Sequence, residues 1–304
     1  MNNKLSKKQI LILGGSGLLA VNWALWAQDE FSIILGLNKR EIILEDIKTI
    51  KFNFSSFEEL NIKIDQISPD IIVNTIALTN VEKCEHNPKL AFETNVKIAS
   101  FLAQIASKIQ CKLVHISTDM LYNGTQSYMN ELLEVSPLNI YGETKYRAEL
   151  EVIKHNSTAL IIRTNFYGWG PTYRASFSDT IINSLKSGKE INLFVDVFFT
   201  PILIQNLVLY IHELIEKSAS GIYNVVSDDR ISKFDFGILV AREFELNETL
   251  LKPIQFSNQV GLVKRPLDMS LSNDKTVKKL GHKLGSVKEH LKLLNKLKMT
   301  SEIL

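Results

Sequence analysis

Tyr141-Gly-Glu-Thr-Lys145 puts a phenol and an ammonium four residues apart, on one face of a helix. A weak acid beside a fixed positive charge is a pair that proton transfer can use. The spacing alone carries little, because a chain this rich in lysine holds such a pair by chance. Its context carries more. The pair opens a helical stretch just after Pro137 and lies downstream of Ser117-Thr118-Asp119, at the end of a buried apolar run. In parallel α/β sheets the carboxyl ends of the strands line the ligand crevice.

A second group of residues could hold an anion. Gly14-Gly15-Ser16-Gly17-Leu18-Leu19-Ala20 follows the first apolar run directly and opens a helix. Glycines there let the backbone turn tightly and approach a pyrophosphate, whose charge then sits at the helix amino terminus. Gly14, Ser16, Gly17, Leu18 and Leu19 are therefore candidate cofactor contacts, with a plain strand-to-helix turn as the alternative. The next apolar run ends in Leu37-Asn38-Lys39-Arg40. A chain selecting NAD usually carries Asp or Glu at that place, to accept from the ribose 2′-hydroxyl. Here no acid stands there. Asn38, Lys39 and Arg40 suit a 2′-phosphate instead, Arg40 through its fork and Lys39 as a point charge. The cofactor expected is NADPH, and the alternative is a solvated loop.

These groups need elements to position them. Gln9–Leu13, Ser32–Gly36, Asp70–Asn74, Lys112–Ser117 and Ala159–Arg163 are short runs without polar alternation, as strands buried on both faces should be. Leu18–Ala27, Phe57–Gln66, Lys89–Lys108 and Thr144–Lys154 between them carry helical periodicity. This alternation implies an α/β fold, a doubly wound parallel sheet of Rossmann type. After Arg163 the pattern changes to helices at Phe177–Ser187, Ile204–Lys217 and Lys233–Glu243, with strands at Ile191–Phe194 and Ile222–Val226. Two further helical stretches between Asp274 and Lys298 are broken by Gly281 and Gly285. The expected division is a dinucleotide-binding domain over 1–165, with contributions from about 190–226. A smaller C-terminal α/β substrate lobe takes 166–189 and 227–304.

Composition excludes several classes. The chain has 304 residues, 45% hydrophobic and 22% charged, which is ordinary for a globular core and unlike a disordered or collagen-like chain. Cys84 and Cys111 are too few for a disulfide framework, and no His/Cys/Asp cluster has metal-ligand spacing. Gln9 to Gln28 is uncharged and follows Lys4, Lys7 and Lys8, so it imitates a signal peptide or membrane span. Its central glycines and Asn22 favour a strand, a turn and a buried helix, and a cytoplasmic protein is expected. The formal charge of +2 hides an asymmetry: residues 252–304 carry 11 Lys/Arg against 4 Asp/Glu, a net of +7 that leaves about −5 for the rest. A basic end invites an anionic partner. The lysines come without a nucleic-acid motif, so a wet helix face is the plainer reading.

The order glycine turn, Asn95, Ser/Thr at a strand end, then Tyr-x-x-x-Lys resembles the extended short-chain dehydrogenase/reductase family. Several segments resemble more narrowly its dTDP-4-dehydrorhamnose reductase group. They are Ala77-Leu-Thr79-Asn-Val-Glu-Lys-Cys84-Glu85 with Pro88, Ala91 and Asn95, then Ser117-Thr118-Asp119-Met-Leu-Tyr-Asn-Gly124, Pro137-Leu-Asn139-Ile-Tyr141-Gly-Glu-Thr-Lys145, Arg163-Thr164, and Lys264-Arg265-Pro266. The resemblance spans roughly residues 8 to 280 and covers both lobes. It implies that Tyr141 is the general acid, giving its proton to a carbonyl oxygen as hydride arrives from NADPH. Lys145 would lower the tyrosine's pKa and hold the nicotinamide ribose, and Thr118 would hydrogen-bond the carbonyl oxygen. Ser117 and Asp119 would flank cofactor and substrate. Ala77, Thr79, Asn95 and Thr164 would complete the cofactor wall, with a plain helix residue as the alternative for Asn95.

Departures from the family pattern narrow the activity. Sugar-nucleotide dehydratases of the family carry Glu after the Asp, where this chain has Met120. Epimerase/reductases use a Cys and a His in the pocket; Cys111 precedes the strand and His115 reads as core. Asn53 stands where many relatives have an adenine-contacting Asp. Asn165 belongs with Asp119 and Thr118 on the substrate side, while Arg174, Lys264 and Arg265 could meet a diphosphate. The aromatic run Phe166-Tyr167-Gly168-Trp169 could stack on a ligand or be core. The expectation is an NADPH-dependent reductase of a nucleotide-linked 4-keto-6-deoxy sugar in polysaccharide or glycoconjugate biosynthesis. The alternatives are a non-catalytic NADP-binding regulatory subunit, or an epimerase with tightly bound NAD. The expected partners are a sugar-nucleotide substrate and at most a second copy in a homodimer, with neither nucleic acid nor a membrane.

Overall fold

The computed structural model describes residues 7–259 and 261–297, so Lys4, Lys298 and the rest of both ends lie outside the described residues. The apolar runs form strands β1 (Gln9–Leu13), β2 (Ser32–Leu37), β3 (Lys48–Lys51), β4 (Ile71–Asn74), β5 (Lys112–Ile116) and β6 (Leu160–Arg163). With the Gly221–Asn224 strand they build one seven-stranded sheet. Every pairing in it is parallel. From one edge the order is Gly221–Asn224, β6, β5, β4, β1, β2, β3. The chain winds from β1 out to β3 and restarts beside β1 with β4. A crevice opens between β1 and β4, where strand order reverses.

Helices cover both faces. On one side Leu18–Ala27 and Ile204–Glu216 pack Val21, Trp23, Leu207 and Ile211 against β1 and β2. Leu18–Ala27 is buried almost all round, which accounts for the uncharged stretch that imitates a membrane span. Among the described residues no helix is long and apolar enough to cross a membrane. On the other side Phe57–Ile67, Ile98–Lys108 and Ile140–His155 contribute Leu60, Ile64, Leu102, Ala148 and Val152.

The second lobe gathers helices Phe177–Lys186, Lys233–Glu243 and Val287–Lys296 around its own core, with Phe199, Phe236 and Leu291 inside. Ile191–Phe194 pairs with Leu251–Ile254 in this lobe and does not join the central sheet. Of the stretch about 190–226, the part that returns to the sheet is therefore the Ile204–Glu216 helix and the Gly221–Asn224 strand. The physical reason is burial: Leu193 and Phe199 pack with the lobe, while Leu207 and Ile211 pack with the sheet.

The Ile140–His155 helix begins four residues earlier than periodicity suggests. Asn139 caps it, its side-chain oxygen accepting from the Gly142 N–H at 2.9 Å. Gly142 is needed here, because an added Cβ would overlap the Met120 carbonyl oxygen at the end of β5. The helix is pinned to the sheet by a buried network. Glu149 accepts from Ser117 Oγ at 2.5 Å and from Arg163 Nη2 at 2.6 Å, and Arg163 Nη1 donates to Tyr122 Oη at 2.6 Å. Glu149 and Arg163 are both buried. Removing one partner of such a pair strands a charge in low dielectric. Arg163→Met should therefore cost about 3 kcal/mol or more of folding stability, read as a lowered urea midpoint with an unchanged slope; a midpoint like wild type would contradict the network's role.

Candidate active site

The carboxyl ends of β1, β4, β5 and β6 and the first turns of the Ile140–His155 helix converge on a cleft of about 470 Å³. Segments of the second lobe bring Arg174 and Arg265 to the same cleft.

The cofactor end is built from backbone. Gly14 adopts φ +87°, the left-handed region that favours glycine. The turn is closed by Gly17 N–H donating to Gly14 O at 2.8 Å, and Gly15 N–H donates to Gly36 O at 2.9 Å. Gly17 caps Leu18–Ala27 without a side-chain acceptor, and no acid stands in the helix's first turn. Gly17, Leu18 and Leu19 line the cleft, so the open donors of the helix start face it. That donor set fits a diphosphate. Gly14 and Ser16 shape the turn from behind. Ala77, Thr79 and Thr164 form the cleft wall, Thr164 fixed by donating to Val225 O at 2.8 Å.

Asn38, Lys39 and Arg40 are exposed just beyond β2. The Arg40 guanidinium stacks 4.2 Å above the Tyr173 ring, and Tyr173 Oη donates to Ser16 O at 2.9 Å. A residue of the second lobe thus buttresses both the glycine turn and the candidate 2′-phosphate group.

The chemical end is side chains. Ser117, Thr118, Asp119, Tyr141 and Lys145 all line the cleft and are all buried. Lys145 Nζ donates to Ile116 O at 2.6 Å. Burial lowers its ammonium to about 8, with Glu149 opposing. Burial pushes the Tyr141 phenol up to about 12, against a hydrogen bond with Thr118, while the Asp119 charge raises it further. Burial is the largest of these effects, and the lysine's nearest partners are Ile116 O and Glu149. A phenol held protonated is the state from which a proton can be given.

Asn95 lies outside the cleft lining. It sits in a π-helical turn, Glu93–Lys97, inside the predicted Lys89–Lys108 helix. Its side-chain oxygen accepts from Leu78 N–H at 2.7 Å, and its amide donates to Thr144 Oγ1 at 3.0 Å. Thr144 in turn donates to Tyr141 O at 2.9 Å. Asn95 thus braces the first turn of the Ile140–His155 helix.

Substrate candidates divide. Asn165 Nδ2 donates to Asp119 Oδ2 at 2.6 Å inside the cleft. Arg174 lines it, and Arg265 lines it while paired with Glu82 across the opening. Lys264 is exposed and meets Asn139 through its carbonyl. Of the aromatic run, Phe166 reaches the cleft. Tyr167 and Trp169 belong to the lobe's core. His115 is core as read: Asn74 Nδ2 donates to its Nδ1 at 3.0 Å, and burial, with the Lys145 charge, holds its pKa well below the usual imidazole range. Burial pushes the Cys84 thiol up to about 11, so it is no ready nucleophile. Among the described residues no cluster of His, Cys, Asp or Glu could hold a metal.

Sequence reasoning missed two charged groups. Glu149 stands one further helical turn beyond Lys145, a spacing that Tyr141, Lys145 and Glu149 share and that could have marked it. Burial lowers the Lys233 ammonium to about 7, with the Asp119 charge opposing, and nothing local in the sequence announces it.

Comparison with known proteins places the chain. A family model described as RmlD substrate binding domain matches residues 8–299. The chain is 27% identical over 245 residues to a probable low-salt glycan biosynthesis reductase of Haloferax volcanii, covering 79% of this chain and 82% of that protein. It is 29% identical over 199 residues to a dTDP-4-dehydrorhamnose reductase of Escherichia coli, covering 63% of this chain and 65% of that one. A crystal structure of a dTDP-4-dehydrorhamnose reductase from Bacillus anthracis, in complex with NADP, has the same fold. It matches with a TM-score of 0.84 and 24% identity, over 95% of this chain and 99% of that one.

The site's charge state sets a pH dependence. Lys145 is an ammonium below about 8 and a neutral amine above it, while Tyr141 stays protonated throughout. Turnover measured as kcat/KM should therefore fall as pH rises through about 8. A profile flat from about pH 7 to about pH 9 would contradict this.

Proposed function

Because the chain belongs to the RmlD substrate binding domain family, we propose that it is an NADPH-dependent reductase of a nucleotide-linked 4-keto-6-deoxy sugar, serving polysaccharide or glycoconjugate biosynthesis. The observation that carries this reading is the protonated Tyr141 phenol beside Thr118, in one cleft with the open donors of the first helix. The names of the two similar reductases support it. It implies a cytoplasmic protein acting on a soluble sugar nucleotide.

When bound, NADPH supplies a hydride to the carbonyl carbon. Tyr141 supplies the proton to the carbonyl oxygen as negative charge develops there. Thr118 Oγ1, which donates to Asp119 Oδ1 at 3.2 Å, is placed to donate to that oxygen instead. Lys145 carries a positive charge under the phenolate that proton transfer leaves, and its ammonium can also take ribose hydroxyls. Gly17, Leu18 and Leu19 would receive the cofactor diphosphate, and Lys39 with Arg40 the 2′-phosphate. On the substrate side, among the described residues Arg265 Nε is buried without a hydrogen-bond partner, a spare donor suited to a sugar diphosphate.

Two other family chemistries lack their groups. Elimination of water needs a proton carrier after Asp119, and Met120 lines the cleft there. Epimerisation at neighbouring carbons needs an acid and a base, which a core His115 and a high-pKa Cys84 do not supply.

The test is Tyr141→Phe, assayed by NADPH oxidation with dTDP-, GDP-, UDP- and CDP-linked 4-keto sugars. Turnover should fall by roughly 10² to 10⁴ while NADPH binding persists; near-normal turnover would sink the assignment. Lys39→Ala with Arg40→Ala should weaken NADPH binding about tenfold to hundredfold relative to NADH, as expected for lost charge-assisted hydrogen bonds. No loss, or equal losses for both coenzymes, measured by fluorescence titration, would contradict their recognition of a 2′-phosphate.

A further inference from the structure

The second lobe meets the glycine turn through the segment that carries Tyr173. Asn22, in the Leu18–Ala27 helix, donates from Nδ2 to Trp169 O at 2.9 Å. Gly170 N–H donates to Asp179 Oδ2 at 2.8 Å, and Arg174 N–H closes a turn on Pro171 O at 2.8 Å. The loop is tight: a Cβ on Gly170 would overlap the Arg174 carbonyl oxygen. Tyr173 is thereby fixed, half-buried against the core on one face of the sheet. Its hydroxyl donates to Ser16 O at 2.9 Å, and its ring carries the Arg40 guanidinium at 4.2 Å.

Stacking engages the flat face of a guanidinium and leaves the N–H donors along its edge open to a phosphate. Arg40 itself is exposed at the end of β2. Glu41, the next residue and the nearest carboxylate in the chain, is paired with Lys51 at 2.9 Å. An exposed arginine samples many rotamers, and ordering it on a ligand weakens binding. A ring that seats it beforehand removes much of that penalty. The scale fits as well. In NADPH the 2′-phosphate and the 5′-diphosphate leave the same adenosine ribose. Here a single tyrosine spans from the glycine turn, whose helix start suits the diphosphate, to the guanidinium that suits the 2′-phosphate.

We propose that Tyr173 is a specificity-determining residue for the coenzyme, supplied by the second lobe. Its ring presents the edge of Arg40 to the adenosine 2′-phosphate, and its hydroxyl holds the glycine turn in register with that group. Tyr173 is a positioning residue that acts through Arg40, and this rests on the NADPH reading of the site.

The experiment measures dissociation constants of the full chain for NADPH and for NADH by fluorescence titration. The proteins are wild type, Tyr173→Leu, Tyr173→Phe, Arg40→Ala and the double variant Arg40→Ala with Tyr173→Leu. Tyr173→Met replaces the Leu variant where that does not fold. Tyr173→Leu should weaken NADPH about tenfold, the size expected for a lost cation–π seat, and NADH by at most about twofold. Tyr173→Phe keeps the ring, so its preference for NADPH should stay within about threefold of wild type. Without Arg40, removing the ring should change the preference by no more than about twofold, because the group it positions is gone. A Tyr173→Leu protein that keeps the wild-type preference, or loses both coenzymes alike, overturns the inference. So does an undiminished effect of Tyr173→Leu in the Arg40→Ala background, or a Tyr173→Phe protein whose preference falls as far as that of Tyr173→Leu. Wild-type protein that binds NADPH no more tightly than NADH overturns the NADPH reading itself, and the inference with it.

Discussion

Burying a carboxylate is costly unless it is paired and hydrogen-bonded, and Glu149 is buried at the junction of β5, β6 and the Ile140–His155 helix. Its demand for partners fixes the site. Arg163 at the end of β6 meets it with two nitrogens, and Ser117 just past β5 donates a short hydrogen bond. The helix can satisfy these contacts in one register. In that register Lys145 and Tyr141, one and two turns back along the same face, reach the carboxyl ends of the strands. Glu149 also sustains the Lys145 charge against burial. One buried acid therefore positions the Ile140–His155 helix and holds its cation.

The cleft divides electrostatically along its length. At the glycine turn, uncapped backbone donors and outlying cations favour phosphate. At the middle, a neutral phenol sits between a lysine tied to the sheet and an aspartate tied to the lobe. Arg174 and Arg265 line the same cleft, Arg265 paired with Glu82. The second lobe does more than close this cleft. Tyr173 reaches back to Ser16 and Arg40, so the glycine-turn end of the site depends on how the lobe is seated.

Much of this was legible in the sequence. Uninterrupted apolar runs marked the central strands, and the glycine turn, Thr118, Tyr141 and Lys145 were read in the places where the structure brings them together. Elements set by tertiary partners were not. Lys48–Lys51 is an edge strand with exposed lysines at both ends, so it lacks the run that betrayed its neighbours. Ile191–Phe194 reads like any short strand, and its burial with the lobe decides where it pairs. The phenol's high pKa follows from its burial, and the Lys145–Ile116 contact from the helix's register; neither is a property of Tyr-x-x-x-Lys spacing.

The central claim is that this cleft passes a hydride to a sugar carbonyl while Tyr141 provides the proton. Incubation with NADPH deuterated at the transferable position of the nicotinamide, followed by mass and NMR analysis of the sugar nucleotide, tests it most directly. The account predicts one deuterium on the former carbonyl carbon, and none exchanged into the neighbouring carbons in light or heavy water. Product without deuterium at that carbon, or solvent hydrogen appearing beside it, would contradict the account.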